Sequence, residues 1–457
     1  MKIVFTSMFR ESMGGGVGRL TEDIVNAFSR KHAILYIRPG NNSRLIKEGS
    51  ITFLEIKAGG KNEIAIPNLG TKNNKLIFNS LKDFSPDIIH SQDPGPISLL
   101  VQMWAKDKNL PYFYTSHVLP TKTAEFNLVE FSKKLGKLVD SKLLRKYFLN
   151  FFNRCSAVIA LNKRALKDIR HFGYKGKIYL IPNGRDLSFY QKKKVIDPEM
   201  INLIFVGYLT RRKNQNYLIE TIRHLSSNYQ LNLAGPYIDE KYYCELVNLA
   251  KKYNLSNVRF LGRVDHTQVP KLLSESKIFV SASKMEVQSL AVMEALASGT
   301  PVVGLSNETI DEFVDRSCGY NFPPNTSCKV FAEKIKEICN LSEDEYLVLS
   351  NNSRQKVEKL DWVNVVEMTM EAYKEGIQNN NIILEKQLNE NNSHWLSKFE
   401  NIFKKNDRRR EKERNILFKK FGKEDVTIYM LVLVTFLGNY FYSFYNGASN
   451  LLEKFKD

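Results

Sequence analysis

Short apolar runs alternate with amphipathic stretches along most of the chain. "KIVFTS" near the start has the length and β-branched content of a strand, and "GGGVGRLTEDIVNAFSRK" follows as a glycine loop opening a helix. "AILYIRP", "ITFLEI", "DIIHSQ", "YFYTSH" and "AVIALN" repeat the strand signal, with helical stretches such as "PISLLVQMWAKDKN" between them. Strands separated by helices predict a parallel sheet covered on both faces. A second set begins near residue 201, with "NLIFVGY", "QLNLAG", "VRFLG", "KIFVSAS" and "PVVGLS" as strands. "NYLIETIRHLS", "KYYCELVNLAKKY" and "VPKLLSES" are its helices. The pattern therefore predicts two doubly wound, Rossmann-like α/β domains, over 1–182 and 183–359. Turn residues in "IPNGRD" put a hinge near 183–199. "DWVNVVEMTMEAYKEG" predicts a helix ending at Gly376, with 360–376 completing the first domain. The asparagine-rich stretch beyond it reads as a polar, then basic, linker over 377–425, followed by an apolar segment over 426–452.

Length and charge sharpen this picture. A chain of 457 residues suits two domains of about 150–200 residues each. The net charge of +18 favours anionic partners. The five cysteines are scattered without a CxxC pair, which argues for reduced thiols and against a disulfide framework or zinc site. "MKIVFTSMFRESMGGG" has too short an apolar run for a signal peptide. No spacing of His, Cys, Asp or Glu suggests a metal site.

Part of the positive charge is interleaved with apolar residues. The 133–155 stretch carries seven Lys or Arg and one acid, with Leu and Phe at helical spacing, the pattern of a helix lying on anionic lipid or of a core helix with a basic solvated face. Residues 403–423 hold ten Lys or Arg against three acids. They precede 27 uncharged residues, where about 20 apolar residues suffice for a membrane-spanning helix. Asn439, Asn446 and Asn450 interrupt that segment, and Tyr440, Phe441, Tyr442, Phe444 and Tyr445 suit an interface, so spanning and interfacial arrangements both stay open. If the segment spans, the basic flank keeps the domains on the cytoplasmic face of the membrane, the expected location. The basic stretches abut apolar ones and match no nucleic-acid-binding motif, so nucleic acid is not an expected partner.

The candidate chemistry lies in "SASKMEVQSLAVMEALASGTPVV". Glu294 sits among apolar neighbours on a helix that Gly299 and Pro301 end sharply before a buried strand. A buried carboxylate needs partners, since leaving it unpaired costs several kcal/mol, roughly. Sugar hydroxyls are suitable. Ser289, Leu290 and Ala291 open the helix, and free N–H groups at a helix N-terminus bind phosphate. A nucleotide diphosphate sugar has all the matching parts: ribose for Glu294, pyrophosphate for the helix start, hexose for Glu286.

These residues carry a resemblance. E-x7-E followed by "ALASGTPVV" resembles the retaining glycosyltransferases of family 4, with "GGGVGRL", "DIIHSQDPG", "YTSH", "IPNGRD", "FVGYLTRRKN", "LAGPY" and "RFLGRVDHTQVPKLLSESKIFVSAS" in the same order over about 1–376. "EVQSLAVMEALASG" is most similar to the variant found in diacylglycerol glycosyltransferases. The resemblance implies the GT-B fold, two Rossmann-like domains facing a cleft. It implies that Glu286 supports the reaction centre and Lys213 pairs with the diphosphate. His117 would face the donor sugar. Gly14, Gly15 and Gly16 would let backbone approach donor and acceptor, Gly235 would line the nucleotide pocket, and Arg263 and Val264 would contact the base.

Two departures stand out. Tyr208 occupies the place of an arginine that usually adds a second cation at the diphosphate, leaving Arg211 or Arg212 to supply it, and Ser289 stands where glycine is usual. The implied activity is transfer of a hexose from UDP-glucose or UDP-galactose to a membrane lipid such as diacylglycerol, with no cofactor and no required metal. The alternatives are a polyprenyl-linked or polysaccharide acceptor, or a non-catalytic binding protein on the same fold.

Overall fold

The computed structural model describes residues 1–10, 15–59, 66–121, 142–190 and 200–387. The chain divides into two compact units. One takes in Met1–Leu161, Ala165–Ile181 and the chain from Val366 onward, and the other Asn162–Arg164 and Pro182–Val365.

The first unit is built on β1 (Lys2–Thr6), β2 (Ala33–Gly40), β3 (Arg44–Glu48), β4 (Ile51–Gly59), β5 (Ile66–Pro67), β6 (Ile88–Ser91), β7 (Tyr112–Ser116), β8 (Ala157–Ala160) and β9 (Ile178–Leu180). Its sheet runs β3-β4-β2-β1-β6-β7-β8-β9, with β5 on β4. All pairings are parallel except β3 and β5 on β4. The central strands are buried along their length, which is why they read as continuous apolar runs rather than alternating ones. β3, β5 and β9 escape the pattern because they are short or edge strands, β3 and β9 with exposed positions. Strand order reverses at the β1–β6 pair, where Thr6 is in register with Ser91. A reversal of this kind opens a crevice beyond the carboxyl ends of the two strands.

The helices of this unit are α1 (Gly15–Ser29), α2 (Thr71–Phe84), α3 (Pro96–Asp107), α4 (Lys142–Asn153) and α5 (Lys163–Phe172). α4 falls in the basic amphipathic stretch. Its aromatics Tyr147, Phe148, Phe151 and Phe152 are buried, and Phe151 and Phe152 pack on Tyr112, Tyr114, Phe172 and Tyr174. These four aromatics of α4 are thus taken up by the protein's own core and are not offered to lipid. Residues 133–141 of that stretch lie outside the described residues.

The second unit holds β10 (Ile201–Val206), β11 (Tyr229–Ala234), β12 (Val258–Gly262), β13 (Ile278–Ser281), β14 (Val302–Leu305) and β15 (Gly319–Phe322), in the order β12-β11-β10-β13-β14-β15. Every pairing is parallel, and the order reverses at β10–β13. α6 (Gln215–Ile222), α7 (Glu240–Lys252), α8 (Val269–Ser274), α9 (Leu290–Ala297), α10 (Ile310–Phe313), α11 (Cys328–Cys339) and α12 (Glu343–Gln355) accompany them. One apolar cluster gathers Leu218, Ile222, Leu246 and Phe331 against the sheet. A second gathers Leu273, Met293, Leu296 and Leu360, so both faces are covered.

α13 spans Trp362–Gln387 and passes Gly376, where the sequence pattern predicts an end. Gly376 is buried, and a Cβ there would stand 2.7 Å from the Phe113 ring. The glycine marks close packing of helix on sheet rather than a cap. Nearby, Tyr373 meets His90 Nδ1 at 2.5 Å, and His90 Nε2 meets Thr115 Oγ1 at 2.7 Å. Burial, with a lesser push from His117, drives the His90 pKa down to about 3. His90 is therefore a neutral, satisfied core histidine. Among the described residues no helix is long and apolar enough to cross a membrane. The 377–425 linker beyond Gln387, and the apolar 426–452 segment, lie outside the described residues.

Candidate active site

The sheet reversal of the second unit brings two loops together. One leaves β10 and contains Arg211, Arg212 and Lys213; the other leaves β13 and contains Glu286. The Lys284 N–H donates to the Arg212 carbonyl at 2.9 Å, which ties the loops by backbone. Lys213 Nζ then forms an ion pair with Glu286 Oε1. Arg212 Nη1 lies 3.5 Å from Glu286 Oε2 and donates to the Met285 carbonyl at 2.9 Å. Arg211 turns away, pairing with Glu245 on α7 at 2.6 Å and stacking over Tyr242.

Burial raises the Glu286 carboxyl, but the Lys213 and Arg212 charges and hydrogen bonds from Lys213 and Ser283 outweigh it. The group sits below the usual carboxylate range and is ionised. Burial lowers the lysine; Glu286 offsets part of this and Arg212 adds to it, so Lys213 sits below an ordinary lysine.

A segment the sequence reading missed holds the Glu286 loop in place. The Glu286 N–H donates to the Glu308 carboxylate at 3.0 Å. Asn307 Nδ2 donates to the Ser283 carbonyl at 3.0 Å, and its Oδ1 accepts from the Thr309 and Ile310 N–H groups. Thr309 Oγ1 accepts the Ser289 N–H at 2.8 Å. The signal was a polar Ser-Asn-Glu-Thr directly after the apolar β14, where a plain turn would serve equally well in sequence terms.

Ser289 caps α9 with extended backbone, and Leu290 and Ala291 begin it. The first N–H groups of a helix lack intrahelical acceptors, so this turn offers donors toward a phosphate. Glu294 is 3% exposed, in line with its apolar surroundings, and its carboxylate lies 3.6 Å from Arg185 Nε. Gly207 and Gly235 end β10 and β11, both with φ of +145°. A Cβ on Gly235 would lie 2.1 Å from the Gly207 carbonyl oxygen, so the two loop backbones are in contact. Arg263 is exposed just beyond β12, and Val264 packs on the apolar cluster around α9.

His117 belongs to the first unit, at the end of β7, with Nε2 2.9 Å from Gln92 Oε1. Burial brings its pKa down to about 4. At the same end of the sheet, beyond the β1–β6 reversal, Asp93 accepts the Met8 and Gly95 N–H groups, each at 2.7 Å. Burial outweighs these bonds and raises Asp93 to about 6. Gly15 opens α1 and Gly16 is exposed in its first turn; Gly14 lies outside the described residues.

Two cations converging on one carboxylate at a sheet reversal, next to a helix N-terminus, can receive a diphosphate and a polyhydroxylated group. Among the described residues no cluster of three or more His, Cys, Asp or Glu is arranged to hold a metal ion.

Comparison with known proteins places the chain among glycosyltransferases. The family model for Glycosyltransferase Family 4 matches residues 14–189, and that for Glycosyl transferases group 1 matches 188–356. An alpha-monoglucosyldiacylglycerol synthase of Streptococcus pneumoniae is 23% identical over 252 residues, a match spanning 51% of this chain and 55% of the synthase. Among solved structures, sucrose-phosphate synthase from Thermosynechococcus elongatus superposes with a TM-score of 0.69 at 18% identity, covering 82% of this chain and 98% of that one. Anabaena HepE in complex with UDP-glucose superposes with a TM-score of 0.63 at 17% identity, covering 82% and 100%. At these identities the structures establish the shared GT-B fold.

Proposed function

Since the chain belongs to glycosyltransferase family 4 and is a hexosyltransferase on the GT-B fold, we propose that it moves glucose or galactose from a UDP-sugar to a membrane lipid such as diacylglycerol, with retention at the anomeric carbon. The observation that carries the donor side is the Lys213–Arg212–Glu286 cluster at the β10–β13 reversal. Lys213 and Arg212 receive the diphosphate, Glu286 takes hexose hydroxyls, Glu294 takes the ribose, and the α9 start adds N–H donors. The family resemblance gives His117, which Gln92 holds, a part in donor-sugar recognition. The acceptor class is supported by the lipid acceptor in the relative's name and by the basic and apolar C-terminal sequence.

In the reaction the acceptor hydroxyl oxygen bonds to the anomeric carbon on the face from which the diphosphate departs. The bond between that carbon and the phosphate oxygen breaks, and the hydroxyl proton passes to the departing phosphate. Lys213 and Arg212 neutralise the charge that builds on the leaving group, a role a divalent ion plays elsewhere.

The test is incubation of the purified protein with membrane lipids and a panel of radiolabelled sugar nucleotides, followed by lipid extraction and separation. Label migrating with a glycosyl-diacylglycerol standard supports donor and acceptor together. Donor consumption without labelled diacylglycerol product replaces the acceptor with a polyprenyl-linked or polysaccharide one. No consumption of any donor overturns the reading.

A further inference from the structure

Arg185 is one of the largest fully buried side chains in the molecule, and it comes from a stretch whose composition signals only a turn. Its backbone is fixed from one side: its N–H donates to the Leu360 carbonyl at 2.7 Å, and its carbonyl accepts the Trp362 N–H at 3.2 Å. Two residues earlier, the Asn183 N–H donates to Gln288 Oε1 at 2.7 Å, on the loop that carries Glu286. The side chain of Arg185 so anchored reaches Glu294, with Nε 3.6 Å from Oε1, and both groups are almost wholly out of solvent. The neighbours of Glu294 on α9, namely Val292, Met293, Ala295 and Leu296, are buried and apolar.

An arginine in this setting does more than neutralise. At 3.6 Å the contact is an ion pair longer than a hydrogen bond, so the guanidinium acts on the Glu294 carboxylate through its charge and its rigid plane beside it rather than through a bidentate bond. A ribose offers two adjacent hydroxyls, which a carboxylate recognises only when its plane is set. We infer that Arg185 is a positioning residue for nucleoside diphosphate recognition: its buried charge, anchored on the Leu360 and Trp362 backbone, holds the Glu294 carboxylate in place for the ribose diol. The inference rests on the assignment of Glu294 to the ribose.

Arg185 acts on the ribose alone, so the quantity to read is discrimination between UDP and 2′,3′-dideoxy-UDP, measured by calorimetry on the full chain. Wild type is expected to favour UDP by about tenfold or more, the usual worth of hydrogen bonds to a charged group. Arg185→Met is expected to bring the ratio close to one while changing affinity for the dideoxy analogue less than about twofold. Adding Glu294→Gln to Arg185→Met is expected to lower the ratio no further, because the two residues act as one unit. Arg185→Lys is expected to give an intermediate ratio. Should Arg185→Met fail to fold, Arg185→Lys decides, and a wild-type ratio in it overturns the inference. A ratio lost in Glu294→Gln but retained in Arg185→Met overturns the inference and leaves the ribose assignment standing. A ratio retained in Glu294→Gln overturns both.

Discussion

Lys213 and Glu286 belong to loops from adjacent parallel strands, and their side chains form an ion pair that is largely shielded from solvent. The pair satisfies two buried charges when no donor is bound, but it also sets Glu286 in competition with a diphosphate for Lys213. Glu286→Gln is therefore expected to bind UDP more tightly, by about three- to tenfold, because a charged partner of the lysine becomes a neutral one. Transfer is expected to fall by about a hundredfold or more if, as proposed, the same carboxylate supports the hexose. Calorimetry with UDP and turnover with the UDP-sugar read the two effects separately. Weaker UDP binding in Glu286→Gln would show that the carboxylate organises the cations rather than competing for them.

Asp93 supplies a pH dependence whose sign can be worked out. Burial raises its folded pKa to about 6, while the unfolded value is about 3.9. Between these values the folded state holds a proton that the unfolded state has lost, so stability falls as pH rises through this window and levels off above it. Other carboxylates titrate nearby, so the useful quantity is the difference between wild type and Asp93→Asn. Relative to wild type, the variant is expected to gain stability from pH 4 to pH 7, by up to about 2–3 kcal/mol. It loses one of the two backbone N–H acceptors, at Met8 or Gly95, but that cost is the same at every pH. Melting temperatures of both proteins across this range check it, and parallel curves would count against the raised pKa.

Gly235 tests whether the nucleotide loops depend on close backbone contact. Its φ of +145° is strained for any L side chain, and a Cβ would collide with the Gly207 carbonyl. Backbone atoms cannot swing aside as a side-chain tip can. Gly235→Ala is expected to destabilise the second unit by about 2–4 kcal/mol and to weaken UDP binding in whatever folds. Gly262→Ala is the control: it also has positive φ, but nothing lies within 4 Å of its Cβ position. It is expected to cost about 1 kcal/mol, from backbone strain alone. Equal losses in thermal unfolding for the two variants would remove the steric argument.

The parts of the fold legible in the sequence are those with one dominant physical cause. β1, β6 and β13 are buried along most of their length and β10 over Leu203–Phe205, so their apolar runs could be read directly, and the two sheet reversals fall among them. The 133–155 stretch was ambiguous for the opposite reason: basic residues among aromatics suit a lipid surface and a core equally, and only packing shows Phe151 and Phe152 inside. Gly376 misled because composition does not distinguish a helix cap from close packing, here against Phe113. In the site, Glu286 and Lys213 were visible from spacing and motif. Arg185 and Glu308 were not, because each serves a residue more than twenty positions away, and a charged residue beside a turn ordinarily faces water.

Arg211 and Arg212 compete for the place of a second cation at the proposed diphosphate site. Tyr208 stands where an arginine was expected, which left Arg211 and Arg212 as equal candidates in the sequence. Their side chains diverge. Arg211 is half exposed, pairs with Glu245 and leans on Tyr242, and an exposed ion pair of this sort contributes roughly 0–1 kcal/mol. Arg212 is held by the Met285 carbonyl beside Glu286, in the same cluster as Lys213. Arg212→Ala is therefore expected to weaken UDP binding by about tenfold, the usual cost of losing one charge-assisted contact to phosphate. Arg211→Ala is expected to change it less than about twofold. Because the diphosphate is also the leaving group, Arg212→Ala should lower kcat as well as raise KM, whereas loss of a ground-state contact alone would raise KM only. If Arg211→Ala proves the more damaging variant, its pairing with Glu245 must open when the donor binds, and the diphosphate then lies toward α7 rather than over the Lys213–Glu286 pair.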